Sequence, residues 1–158
     1  KVDVSLDDPE KAAEVLLDKI KTSRPGQIRL AMVLPKEKAY VLSLKKDVNV
    51  DDIVVDDNLH PAIRELDVTV LHHFIIKQVW IGNPEMDLDE SDVLYSRDAG
   101  VILECVKKRQ ACVAFLVNAP HMNQVRSIAN LGLLIPAKST YFYPKIPSGI
   151  VLRDISRH

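Results

Sequence analysis

Residues 136–149 read Pro-Ala-Lys-Ser-Thr-Tyr-Phe-Tyr-Pro-Lys-Ile-Pro-Ser-Gly, and the prolines exclude a helix from this stretch. Pro136, Pro144 and Pro147 each lock their own φ and push Ile135, Tyr143 and Ile146 toward extended backbone. Tyr141, Phe142 and Tyr143 are consecutive aromatics, which no amphipathic period produces. A segment stiffened in this way loses less entropy on ordering than a generic loop. In an extended ribbon, alternation puts Ser139, Tyr141 and Tyr143 on one face, and Lys138, Thr140 and Phe142 on the other. Lys138 and Lys145 can reach one anion only across a bend, which Pro144 can supply. Two readings fit these residues. One is a ribbon that presents hydroxyls and ammonium groups to a ligand or a docking domain. The other is an edge strand whose Lys and Pro deter aggregation.

The rest of the chain must then supply the core. Its 158 residues suit one domain, residues 1–158, and 47% apolar with 27% charged residues is a globular mix. Lys+Arg 21 against Asp+Glu 22 leaves a net charge of -1, so no overall field recruits nucleic acid or an anionic membrane. No apolar run approaches the roughly 20 residues of a bilayer span. Cys105 and Cys112 are seven apart, unlike a CxxC metal or redox pair. They read as reduced, buried, small hydrophobes of a cytoplasmic protein. The first residue is Lys1 rather than Met, with no charged-then-apolar leader behind it, which reads as a fragment of a longer chain.

Local signals give an order of elements. Asp7-Asp8-Pro9-Glu10 opens a helix by acidic capping and proline in the first turn, and Ala12, Val15, Leu16 and Ile20 carry it to about Thr22. Arg24-Pro25-Gly26 stops it. Residues 28–34 and 39–44 form a hairpin across Pro35-Lys36-Glu37-Lys38. Residues 45–58 read as an acidic loop with one turn, and His60-Pro61 starts a short helix. Asp67 caps a further helix containing Val68, Leu71, Phe74, Ile75 and Val79, although its β-branched residues weaken the helical preference. Residues 93–95 read as a short strand, Asp98 caps a helix to about Lys108, and 111–117 is a buried strand. The crossover is long enough for those two strands to lie parallel. A helix with Met122, Val125, Ile128 and Ala129 follows, closed by Gly132, and a last strand follows it. The expected fold is α+β: a mixed β-sheet with helices packed on it and one βαβ-like unit in the second half.

Other constellations carry less. Gly132 to Ser139 matches a phosphate loop except for Ala137 in place of its second glycine. A helix precedes it and Pro136 removes an amide, so the reading fails. Adjacent His72 and His73 point about 100° apart on a helix and do not share a metal ion readily. One is expected buried and hydrogen-bonded and the other exposed, with a substrate or catalytic role for His72 as the alternative. The acidic run 87–92 has Asp92 where a calcium loop needs a turn glycine.

Lys138-Ser139-Thr140-Tyr141-Phe142-Tyr143-Pro144-Lys145, followed by Ser148-Gly149-Ile150-Val151, resembles the C-terminal signature of the family named domain of unknown function 1015. Leu66-Asp67-Val68 leading to Leu71-His72, and Tyr95-Ser96-Arg97-Asp98 ahead of Ala114-Phe115-Leu116-Val117, are similar to it as well. The resemblance implies a chain about twice as long, whose absent N-terminal half is similar to nucleotide-using folds. It implies an ATP-dependent kinase of a small, free-serine-like molecule, with this chain holding part of the site and inactive alone. The ligand- or phosphate-binding residues would be Lys138, Ser139, Thr140, Tyr141, Tyr143, Lys145, Arg97 and His72, the cations neutralising phosphate charge and the hydroxyls orienting substrate. ATP and Mg would belong to the full-length protein and no cofactor to this part. Its partners would be its own N-terminal half and a small-molecule substrate. The alternative is a non-catalytic module in which the aromatic run docks that half or a second copy.

Overall fold

A computed structural model describes residues 1–21, 27–36, 38–83, 89–136 and 138–140. Helix α1 (Pro9–Ile20) begins where the acidic cluster requires: the Asp8 carboxylate accepts from Lys11 N–H, with proline in the first turn. Strands β1 (Arg29–Leu34) and β2 (Lys38–Ser43) form the expected antiparallel hairpin, with Met32 opposite Tyr40. The turn holds Lys36 at φ 63. Helices α2 (Val50–Ile53) and α3 (Pro61–Arg64) are single turns, capped by the side chains of Asn49 and His60. Arg64 gathers the stretch between them, donating from Nε to Leu59 O at 2.9 Å and from Nη2 to Asp56 O at 2.8 Å.

The next helix has two geometries. It starts as α4 (Asp67–Val70) and runs on without a break as a π-helix (Leu71–Ile81), ending at Gly82 in the left-handed region. Helix α5 (Ala99–Lys107) is capped by Asp98, strand β3 (Ala114–Val117) follows, and α6 (Met122–Asn130) closes with Gly132 at φ 69.

The fold is α+β, and the sheet differs from expectation in its sense. Its order is β2-β1-β3, and among the described residues every pairing is antiparallel. Residues 93–95 form no strand, so the βαβ-like unit is absent. Leu94 is 63% and Tyr95 49% exposed, and Tyr95 turns to a ring on the helix 71–81 instead of to a ladder. The last strand, and the segment from Tyr141 onward, lie outside the described residues.

One face of the sheet carries the main core. Ala31, Val33, Ala39, Ala114 and Leu116 meet Leu16 and Ile20 of α1 and Leu103 and Val106 of α5. The small side chains let α1 sit close to the strands. Two satellite clusters lie beyond the sheet. Ile28, Val50, Val54 and Val70 make one; Ile63, Leu66 and Ile128 make the other, with Leu133 and Ile135 packed against it. The second cluster matters most, because it fixes the chain that leads into Lys138. Cys105 is half-buried and Cys112 exposed, so the expectation of two buried thiols fails. Cys112 lies in the turn between α5 and β3, ahead of the strand's first buried residue, Ala114.

Candidate functional site

Asn118, immediately after β3, joins four elements through one amide group. Its Nδ2 donates to Arg29 O at 2.9 Å, to Ile20 O at 3.2 Å and to Asp67 Oδ2 at 2.9 Å. Asp67 is therefore the first helical residue rather than the cap: Leu66 occupies the cap position with no side-chain bond, and the Asp67 carboxylate turns to Asn118. Burial pushes the Asp67 carboxyl above its ordinary 3.8, more than the Asn118 donors and the nearby His121 pull it down. His121 is positioned by α6, where its N–H donates to Gln124 Oε1 at 3.0 Å. Two residues on from Asp67, the buried Thr69 keeps an Oγ1 with no partner among the described residues.

The π-helix sets the second group. Its hydrogen bonds span one residue more per turn than those of an α-helix, which brings residues five apart into register. His72 and Lys77 are such a pair. The His72 imidazole is held below its ordinary 6.5, chiefly by burial and then by His73 and Lys77. Its ring stacks on Tyr95, with centroids 6.5 Å apart and planes 17° from parallel. His73 Nδ1 lies 3.8 Å from Asp56 Oδ2. Both histidines are half-buried, so the expected split into one buried and one exposed ring is replaced by two separate engagements. Arg97 is exposed two residues beyond Tyr95, beside the Asp98 cap.

The third group is the entry to the proline-spaced segment. Lys138 is exposed and holds φ 65, a left-handed conformation that a side chain with a Cβ adopts at a cost. Ser139 N–H donates to Pro136 O at 3.3 Å, while its buried Oγ has no hydrogen-bond partner among the described residues. Thr140 is exposed. Tyr141, Tyr143 and Lys145 lie outside the described residues.

Three stretches distant in sequence are thus assembled around one helix. Asp67 and His72 lie on it and Tyr95, next to Arg97, stacks on it. Ile135, three residues before Lys138, packs against the cluster that holds Leu66. Asn118 and His121 are the functional candidates that the sequence did not reveal. An Asn-Ala-Pro-His turn carries no recognisable motif, and only the fold places it opposite Asp67. Comparison with known families, with curated proteins and with solved structures gives no match. Among the described residues no three His, Cys, Asp or Glu side chains converge on a metal position.

Proposed function

We propose that this chain is the substrate-side part of an ATP-dependent kinase of small hydroxylated molecules, completed by a further N-terminal half. The observation that carries this reading is the Lys138-Ser139 pair. Buried hydroxyls are normally hydrogen-bonded, and among the described residues the Ser139 hydroxyl has no partner. Next to it stands an exposed ammonium on a strained backbone, and strain of this kind collects at ligand sites. Both fall in the octapeptide that resembles domain of unknown function 1015. In such a reaction the substrate oxygen attacks the terminal phosphorus of ATP and ADP departs. Lys138 and Arg97 would offset phosphate charge, Ser139 and Thr140 would orient the acceptor, and a neutral His72 would be free to accept a proton.

The decisive assay measures ADP formation by the longer protein with a panel of hydroxylated metabolites, free serine among them. Lys138→Ala should lower turnover at least tenfold while leaving the fold intact. Absence of turnover with every acceptor, using ATP or ADP as donor, rejects the reading. A second reading, a non-catalytic docking module, draws on exposed apolar side chains: Leu134 at 87%, Val79 at 66% and Trp80 at 50%. Sedimentation separates the two. Self-association that nucleotide does not alter favours docking, and a nucleotide-induced rise in melting temperature favours phosphoryl transfer.

A further inference from the structure

We propose that the free edge of β3 pairs with the same edge of a second copy of this chain, with Phe115 on the twofold axis, so that two sheets become one. The phase of the ladder leads to this. Leu44 N–H donates to Ile28 O at 3.1 Å, so in the register of β1 with β2 the even-numbered residues of β1 bond to β2. Ala31 and Val33 therefore turn their N–H and C=O groups to β3, where they meet Leu116 and Ala114. Phe115 and Val117 turn theirs the other way. Among the described residues nothing bonds to them there. The opposite edge of the sheet differs: Val2 N–H donates to Ala39 O at 2.8 Å and blocks it.

An unpaired edge strand is normally guarded by a charge or a proline. This one is not: from Ala111 to Ala119 the chain has no Asp, Glu, Lys, Arg or Pro. Opposed residues of an antiparallel pair share a face, so an axis through Phe115 sets it against its own mate and Val113 against the partner's Val117. An axis at Leu116 would bond only Phe115 and Val117, whereas the axis at Phe115 extends the ladder to Val113. No like charges meet along the seam, which is the condition for a strand to pair with itself. On the same face Trp80 lies edge-on to Phe115 at 6.5 Å and is 50% exposed, with Val79 at 66%. The axis brings both Phe115–Trp80 pairs together and takes from water apolar surface that one copy leaves there. Every pairing between the three strands is antiparallel, and a second copy continues that pattern without a crossover. Growth stops at two, because Val2 blocks the other edge. The pairing uses none of Lys138, Ser139 or His72, so a chain that transfers no phosphate can still form it.

The experiment uses the whole 158-residue chain. Sedimentation from about 1 µM to 1 mM should show monomer passing to dimer and nothing larger. Amide hydrogen exchange, resolved by residue, locates the contact. The N–H groups of Phe115 and Val117 should slow about tenfold or more from the dilute to the concentrated sample, while those of Ala114 and Leu116, bonded to β1, stay slow throughout. Val117→Lys and Val113→Glu should each weaken the dimer about tenfold or more, by setting an unmatched charge on an apolar seam. The double variant opposes a carboxylate to an ammonium across the axis and should dimerise more strongly than either. The exchange measurement decides the matter if a variant fails to fold. The proposal is overturned by a monomer at every concentration, by assemblies larger than two, or by a dimer in which Phe115 and Val117 exchange at the monomer's rate. Protection of those amides that does not change with concentration also overturns it, since residues of the same chain would then cover the edge. So does a double variant no stronger than the single ones.

Discussion

Replacing Asn118 by alanine tests whether one side chain holds the junction together. Its amide has two hydrogens to lose. The one on the Asp67 carboxylate is charge-assisted and is worth about 1.5–3 kcal/mol, and the one shared by the Ile20 and Arg29 carbonyls about 0.5–1.5 kcal/mol. Asn118 is only half-buried, so water replaces part of the loss. Asp67 can also take up a proton once its donor is gone, which limits the penalty further. The expected cost is about 2–3 kcal/mol, a substantial part of the ~5–15 kcal/mol that a domain commands. Urea unfolding followed by Trp80 emission is the assay. Trp80 is the one tryptophan of the chain, half exposed and edge-on to Phe115 at 6.5 Å, so its environment changes on unfolding. The slope of free energy against urea should not change. In a double-mutant cycle with Asp67→Ala the two losses should couple by roughly 1 kcal/mol or more. A loss below about 0.5 kcal/mol, or strict additivity, would show that the three contacts carry little energy and would sink the reasoning.

Three further outcomes follow from the same geometry. The folded protein holds His72 below its ordinary value of 6.5, so its share of stability is present above pH 6.5 and is lost as pH falls through the depressed folded value; His72→Phe, which keeps a ring on Tyr95, should flatten that part of the profile, and an unchanged profile counts against the assignment. Lys138→Gly should stabilise the chain by about 1 kcal/mol by relieving its left-handed backbone, whereas Lys138→Ala should not, and equal effects in calorimetry would mean that φ 65 is no strain. Of the two thiols, exposed Cys112 should react with a disulfide reagent well before half-buried Cys105, and equal native rates would contradict their placement.

Where local chemistry decides, the sequence was a sufficient guide. Asp8-Pro9 and Asp98 start helices because a carboxylate beside orphan N–H groups has no better use, and Gly132 ends one because glycine tolerates positive φ. The hairpin followed from two apolar runs around Pro35 and Lys36. Strand direction was not legible. Residues 93–95 have strand-like composition, but a strand needs a neighbour, and the ring of Tyr95 has a partner in His72 instead. Asp67 misled for a related reason: an acid ahead of an apolar run looks like a cap, while its real partner, Asn118, is 51 residues away. The π geometry of 71–81 was foreshadowed only as a weakened helix, because β-branched residues reveal crowding but not its resolution. Of the candidate site, His72, Arg97 and the Lys138-Thr140 segment were named from the sequence. That Tyr95 stacks on the helix of His72, and that Ile135 packs against the cluster of Leu66 at its start, was not.

That packing bears on how the three groups can respond to a ligand. Asp67 stands at the first turn of the run 67–81, His72 at the second, and Trp80 near its end, where it meets Phe115 of β3. The start of this helix is tied to the sheet through Asn118, its middle to the 50–59 stretch through His73 with Asp56 and Gln78 with Ile53 O, and its end to the sheet again through Phe115. A helix fixed at three points resists sliding as a body. It can still exchange contacts at single turns, because Asp67 and His72 are both only half-buried. Binding at one turn therefore alters pKa values and hydrogen bonds locally and reaches Lys138 only through the cluster shared by Leu66, Ile128 and Ile135. An apolar cluster of that size transmits position far better than charge. Any coupling between Asp67 and Lys138 should accordingly be steric, and should persist in high salt, where a coupling carried by charges would fade.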